Sequence, residues 1–158
     1  MASERGGATE RSSTAERPGP PERSRTAERS AADLELTTPW VRRWLRAEGI
    51  AAFVGGVAAW LALGGAWPWL VVFILAPDLS MAGYLVGPHA GAITYNIAHN
   101  WATGGLVLGI GLALTLPIVV FAGLVLVAHT GMDRALGYGL KYPTAFGDTH
   151  LGRIGRPR

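Results

Sequence analysis

Apolar positions in this chain are massed rather than periodic. After a polar opening, the stretch between Gly49 and Met132 holds a single Asp, Glu, Lys or Arg, which is Asp78. A water-soluble domain needs a charged exterior over so long a run, and a chain without one takes lipid as its surroundings. Turn signals divide the block into four. A first span is predicted over residues 48–63, with a small-residue face from Gly55-Gly56 and several Ala that suits close helix packing. Gly64-Gly65-Ala66-Trp67-Pro68-Trp69 then reads as a turn with interfacial tryptophans. A second span covers 69–86 and is interrupted at Pro77-Asp78, and Gly87-Pro88 is a tight turn. The third span covers 89–114 and the fourth 117–136. Each approaches the roughly 20 residues that cross a hydrocarbon core of about 30 Å. The pattern predicts an all-α polytopic membrane protein, a bundle of about four transmembrane helices.

The flanks are different in kind. Residues 1–38 are rich in Ser, Thr, Ala, Glu, Arg and Pro, with a loose recurrence in Glu10-Arg11-Ser12, Glu22-Arg23-Ser24 and Glu28-Arg29-Ser30. Such a segment buries too little apolar surface to offset its ordering entropy, so a disordered polar tail is expected. It has no apolar core of the kind a signal peptide carries. Trp40-Val41-Arg42-Arg43-Trp44-Leu45-Arg46 mixes aromatic anchors with Arg and predicts an interfacial turn leading into the first span. The Gly-rich, aromatic stretch 137–150 is expected at the membrane surface. The transmembrane domain is then 39–152, and 153–158 is a short basic tail.

Composition narrows the function classes. Hydrophobic residues make up 49% of the chain and the mean hydropathy is +0.26, high for a chain with so polar a start. There are no cysteines, which excludes disulfides and thiolate metal sites. The net charge of +3, with Arg at both ends of the apolar block, points to the lipid bilayer as partner and not to nucleic acid. A homo-oligomer stays open. An even number of spans puts both termini on one side, and the positive-inside rule makes that side cytoplasmic. The expected location is therefore a bacterial cytoplasmic (inner) membrane.

A carboxylate deep in a span costs roughly 2.5–3.5 kcal/mol on insertion scales, so Asp78 is expected to face protein or water. Pro77 removes a helical donor and bends the chain beside it. His129 and Asp133, at i and i+4, share one face of the fourth helix. In the third, Tyr95 lies on the His99 face, with Asn96 and Asn100 flanking. At 1.5 Å per residue, Asp78, about nine residues into its span, His99, about ten, and His129, about twelve, fall within about two turns of one another in depth. Asp133 lies nearer the cytoplasmic surface, where Glu48 could join it and His150 could cap the site. The sharp reading is one divalent metal (Zn, Fe or Mn) held by Asp78, His99, His129 and Asp133. Glu48, Tyr95, Asn96, Asn100 and His150 would orient the ligands or the substrate. The bland reading is a structural polar cluster, in which Asp78 accepts from Tyr95, Asn96 or a His and Asp133 pairs with Arg134 or Lys141.

Several runs carry a resemblance: Pro77-Asp78-Leu79-Ser80-Met81-Ala82-Gly83-Tyr84, then Gly91-Ala92 with Tyr95-Asn96-Ile97-Ala98-His99, then the long run from Ala128 through His129, Asp133 and Arg134 to Lys141, and Thr149-His150-Leu151-Gly152. Over about 46–152 the chain resembles the bacterial domain-of-unknown-function 4260 family. That resemblance implies a small integral membrane protein and no established activity. The order Pro77-Asp78, His99, and His129 with Asp133 is also similar to that of membrane-bound metal-dependent hydrolases of the phospholipase C-like type. Those usually carry a second Asp soon after Pro-Asp and a Thr-His-Ser after the first His, where this chain has Ser80 and Asn100-Trp101. The functional expectation is a metal-dependent hydrolase acting on a lipid or membrane-soluble substrate. The alternative is a non-enzymatic membrane protein, an ion-coupled transport component or assembly partner.

Overall fold

The computed structural model describes residues 22–154, with side chains from Pro39 onward. The chain divides between Leu36 and Thr37, and all the apolar segments belong to the second unit. The polar tail expected over 1–38 lies outside the described residues, except that the backbone of helix α1 (Glu22–Ala62) is drawn from Glu22. Residues 155–158 also lie outside. The elements after α1 are α2 (Trp67–Phe73), a 3₁₀ helix (Ala76–Leu85), α3 (Pro88–Ala98), α4 (Trp101–Ala113), α5 (Pro117–Leu136) and a two-stranded antiparallel ribbon, β1 (Asp148–Thr149) with β2 (Gly152–Arg153).

Proline starts most of these elements. Pro68, Pro77, Pro88 and Pro117 each stand at the first or second position, where the missing N–H has no helical partner to lose. Helix α5 ends at Gly137, whose φ of 93° is left-handed. There the N–H of Gly137 donates to Arg134 O and that of Tyr138 to Asp133 O, a Schellman-type stop.

Among the described residues, three stretches are long and apolar enough to cross a membrane: Pro39–Ala62, Trp67–Leu85 and Pro117–Leu136. The third expected span, 89–114, is not one helix. It breaks at His99-Asn100 into α3 and α4, so no single helix there reaches spanning length. The break has a local cause. The Asn100 side chain accepts from Thr103 N–H at 2.8 Å to cap α4, and donates to Asn96 O at 2.6 Å and Ile97 O at 2.9 Å to satisfy the end of α3. Trp40–Arg46 also differs from expectation. It is a continuous part of α1 rather than a turn.

Glycines let the helices approach at backbone distance. A Cβ on Gly49 would stand 2.7 Å from Gly131 O, and one on Gly123 would collide with the backbone of Leu108. Gly49 faces Gly131 and Gly56 faces Ala128, so α1 and α5 run antiparallel. Gly104 against Val127 and Gly111 against Val120 set α4 antiparallel to α5 in the same way. Trp60, Val120, Leu124 and Val125 form the apolar core. The outward face is apolar as well, with Leu85 91%, Ile118 84% and Leu79 78% exposed.

Candidate metal centre

The two interruptions in the apolar block meet at one place. Asp78 lies near the start of the 3₁₀ helix, ten residues long where runs of three or four are usual. This helix pairs with α3 through Thr94, whose hydroxyl donates to Ser80 O at 2.7 Å. His99 sits in the break between α3 and α4. Helix α5 brings His129 and Asp133 from the third side.

One ligand atom each from Asp78, His99 and His129 lies within 4.8 Å of the others. Asp78 Oδ1 is 3.4 Å from His99 Nε2 and 3.5 Å from His129 Nε2. Asp133 stands 3.9 Å from each Nε2, through Oδ2 to His99 and Oδ1 to His129.

The ring tautomers follow from the other nitrogens. His99 Nδ1 is 2.8 Å from Tyr95 O, and His129 Nδ1 is 2.6 Å from Ile74 O. A carbonyl oxygen only accepts, so both Nδ1 atoms carry the proton. In the neutral rings both Nε2 atoms then turn lone pairs toward carboxylate oxygens. His129 Nε2 is buried with no hydrogen-bond partner. Two imidazole nitrogens and two carboxylates thus converge, and Asp78, His99 and His129 among them form a group that could hold a metal ion. Ligand atoms about 2.0–2.1 Å from a tetrahedral centre stand roughly 3.3–3.4 Å apart, close to the separations seen for Asp78. An imidazole whose far N–H is held by a backbone carbonyl is also the usual posture of a metal-bound histidine.

The surroundings hold these groups in place. Tyr95 donates its hydroxyl to Asp133 Oδ2 at 2.5 Å, and its ring stacks on His99 at 3.7 Å between centroids. The side chains of His99, His129 and Asp133 are 0, 1 and 9% exposed, whereas that of Asp78 is 34% exposed. The site therefore opens at Asp78. Ser80 Oγ and Thr130 Oγ1, near the ligands in sequence, are buried without partners.

Other sequence-derived candidates fall elsewhere. Glu48 is exposed on α1 and makes no hydrogen bond or ion pair among the described residues. Asn96 does not face the ligands. It clamps the backbone of Lys141, donating to its carbonyl at 2.9 Å and accepting from its N–H at 2.7 Å. Asn100 is spent on the helix break. His150 accepts from Leu140 N–H through Nδ1 at 2.8 Å. The pairing of Asp133 with Arg134 or Lys141 is not formed either. Buried Arg134 donates to His99 O at 3.0 Å and Tyr138 O at 2.6 Å. Lys141 donates to Phe146 O at 2.9 Å, with its ammonium 5.1 Å from the Tyr95 ring centroid. Reading the sequence alone missed both cations as supports. Their only signal was position, just past the last span.

Outside the apolar helices, two groups have displaced pKa values. Burial lowers that of Lys141, against the opposing pull of Asp133. Burial and then the Arg134 charge lower that of His150.

Residues 42–154 match the model of DUF4260, described as a domain of unknown function. The chain belongs to this family. All four converging groups lie inside the matched region. No curated protein and no solved structure matches the chain.

Proposed function

We propose that this member of the DUF4260 family is a four-span membrane protein, with its third span broken at His99-Asn100, that holds one divalent metal and hydrolyses a lipid or membrane-soluble substrate. The observation that carries the reading is the pair of Nε2 atoms, turned toward two carboxylates by the Nδ1 contacts with Tyr95 O and Ile74 O. His99, His129 and Asp78 would hold the ion, with Asp133 as the fourth ligand. A divalent ion in such a site supplies Lewis acidity and makes water a usable nucleophile near neutral pH.

The chain's own residues do the positioning. Tyr95 keeps Asp133 oriented, and the two backbone carbonyls keep the imidazoles from turning. Access comes at the open edge of Asp78. Its neighbour Pro77 lines an apolar cavity of about 850 Å³ between α1, the second span and α5, whose walls include Trp60, Phe73 and Val125. Val125 is one turn before His129 on α5. An apolar chamber whose wall includes the neighbour of Asp78 fits a substrate with a long hydrocarbon part. The N-terminal end of the first span and the C-terminal end of α5 lie together, and their Arg residues favour the cytoplasmic side.

Elemental analysis of the full chain purified in detergent tests the metal. The expected result is one divalent ion per chain, lost in His99→Ala and His129→Ala while Asn96→Ala keeps it. A folded protein without metal, unable to take up zinc, iron or manganese on titration, overturns the reading. An ion-coupled transporter would instead give pH-dependent flux in proteoliposomes that Asp78→Asn abolishes, with no hydrolysis of ester or phosphodiester lipids.

A further inference from the structure

A second concavity lies away from the proposed metal site, where the start of the first span meets the end of α5. It has a volume of about 420 Å³ and is lined by Arg42, Arg43 and Arg46 of α1, Arg153 of β2, and the backbone turn at Leu136-Gly137. Among the described residues no Asp or Glu lines it. Arg42, Arg43 and Arg46 pair with no carboxylate among the described residues, and Arg153 alone has one, with its Nε 3.1 Å from Asp148 Oδ1.

This gathering of charge has a cost. Arg42 and Arg46 are one helical turn apart on the same face, and like charges at that spacing destabilise a helix. The close approach of Arg46 is built in, since a Cβ on Gly137 would come within 3.0 Å of its Nη2. The negative end of the α5 dipole offsets part of the charge of Arg46 and leaves the other two guanidiniums without a carboxylate among the described residues.

We infer that this pocket binds the phosphate of an anionic phospholipid headgroup. Guanidiniums suit a phosphate because their forked N–H groups match its oxygens. The same turns of α1 carry Trp40 and Trp44, 60% and 56% exposed, with rings in edge contact at 5.7 Å. Exposed indoles beside a basic pocket, at the start of an apolar span, mark the headgroup level of a bilayer. A lipid lying there would have its phosphate among the arginines and its acyl chains along the outward apolar face of α1. Nothing in this inference depends on the metal.

Native mass spectrometry of the full chain in detergent, titrated with short-chain phosphatidylglycerol, phosphatidylcholine or inorganic phosphate, tests it. One phosphatidylglycerol should bind, weakened about fivefold for each arginine removed in Arg43→Gln and in the Arg42→Gln/Arg46→Gln double variant, while Arg46→Lys keeps part of the binding. Arg43→Gln keeps the test informative if the double variant fails to fold. Equal binding of phosphatidylcholine, or binding unchanged in the folded variants, overturns the inference. Competition by inorganic phosphate as effective as the lipid's own affinity overturns the lipid assignment and makes this a site for a soluble anion.

Discussion

At the residue scale, the decisive choices are made by hydrogen-bond partners rather than by charge. Each imidazole could have presented either nitrogen, and it is a backbone carbonyl behind each ring that turns Nε2 forward. Tyr95 acts on Asp133 in the same way. Removing its hydroxyl in Tyr95→Phe should weaken metal affinity about tenfold, as loss of such supporting bonds typically does. The retained ring would still stack on His99, so the fold should persist. A chelator-competition titration checks both points. His150 yields a pH prediction of definite sign. Its Nδ1 accepts from Leu140, so the folded tail favours the neutral ring, and burial with the Arg134 charge lowers its pKa. The contribution is complete above the ordinary value of about 6.5 and drains away as the pH falls through the lowered folded value. The protection of the Leu140 amide against hydrogen exchange, relative to its intrinsic rate at each pH, should fall on acidification below that range, and His150→Ala should flatten the dependence. Asp78, His99 and His129 were legible because they interrupt an apolar run. The supporting roles of Arg134 and Lys141 were not, because a cation beside a carboxylate in sequence reads as its partner, whereas here both donate to carbonyls.

At the element scale, the fold relies on two devices, glycine contacts between helices and a capped break within one. Gly131→Ala should put a methyl group against the backbone of Phe53 and Gly49, costing about 1–3 kcal/mol as overpacking does. Gly55, four residues before Ala59 on α1, meets nothing within 4 Å, so Gly55→Ala should be neutral or slightly stabilising. Thermal unfolding of the two variants in one detergent measures the contrast. Asn100→Ala removes a cap and two bonds to α3. It should lower stability by about 1–2 kcal/mol and also reduce metal retention, because His99 hangs on that break. The four apolar segments were readable from turns and prolines. The break was not, since 89–114 has no proline after Pro88 and its polar residues are equally compatible with a continuous helix. Asn100 ends α3 only because its side chain finds Asn96 O and Thr103 N–H together.

At the scale of the whole molecule, antiparallel packing of the first span on α5 places the start of that span and the end of α5 together. A membrane-impermeant thiol reagent should therefore label Ala47→Cys and Leu136→Cys from one side of sealed vesicles and Ala66→Cys from the other. The chain has no cysteine of its own to confuse the result. Labelling of Ala47→Cys and Leu136→Cys from opposite sides would require an odd number of crossings. The linear order of residues was sufficient for the apolar, membrane-suited segments, the approximate places where the chain turns, and the few ionisable groups stranded in apolar surroundings. Those follow from transfer energies, which each segment carries wherever it lies. The amino-acid order could not say that Asn96 and Asn100 would be used up by the backbone, that Glu48 would stay outside, or that four arginines from opposite ends of the domain would line one pocket. Such matters depend on which helix faces touch, and here contact is set by glycine pairs whose meaning appears only once both partners are in place.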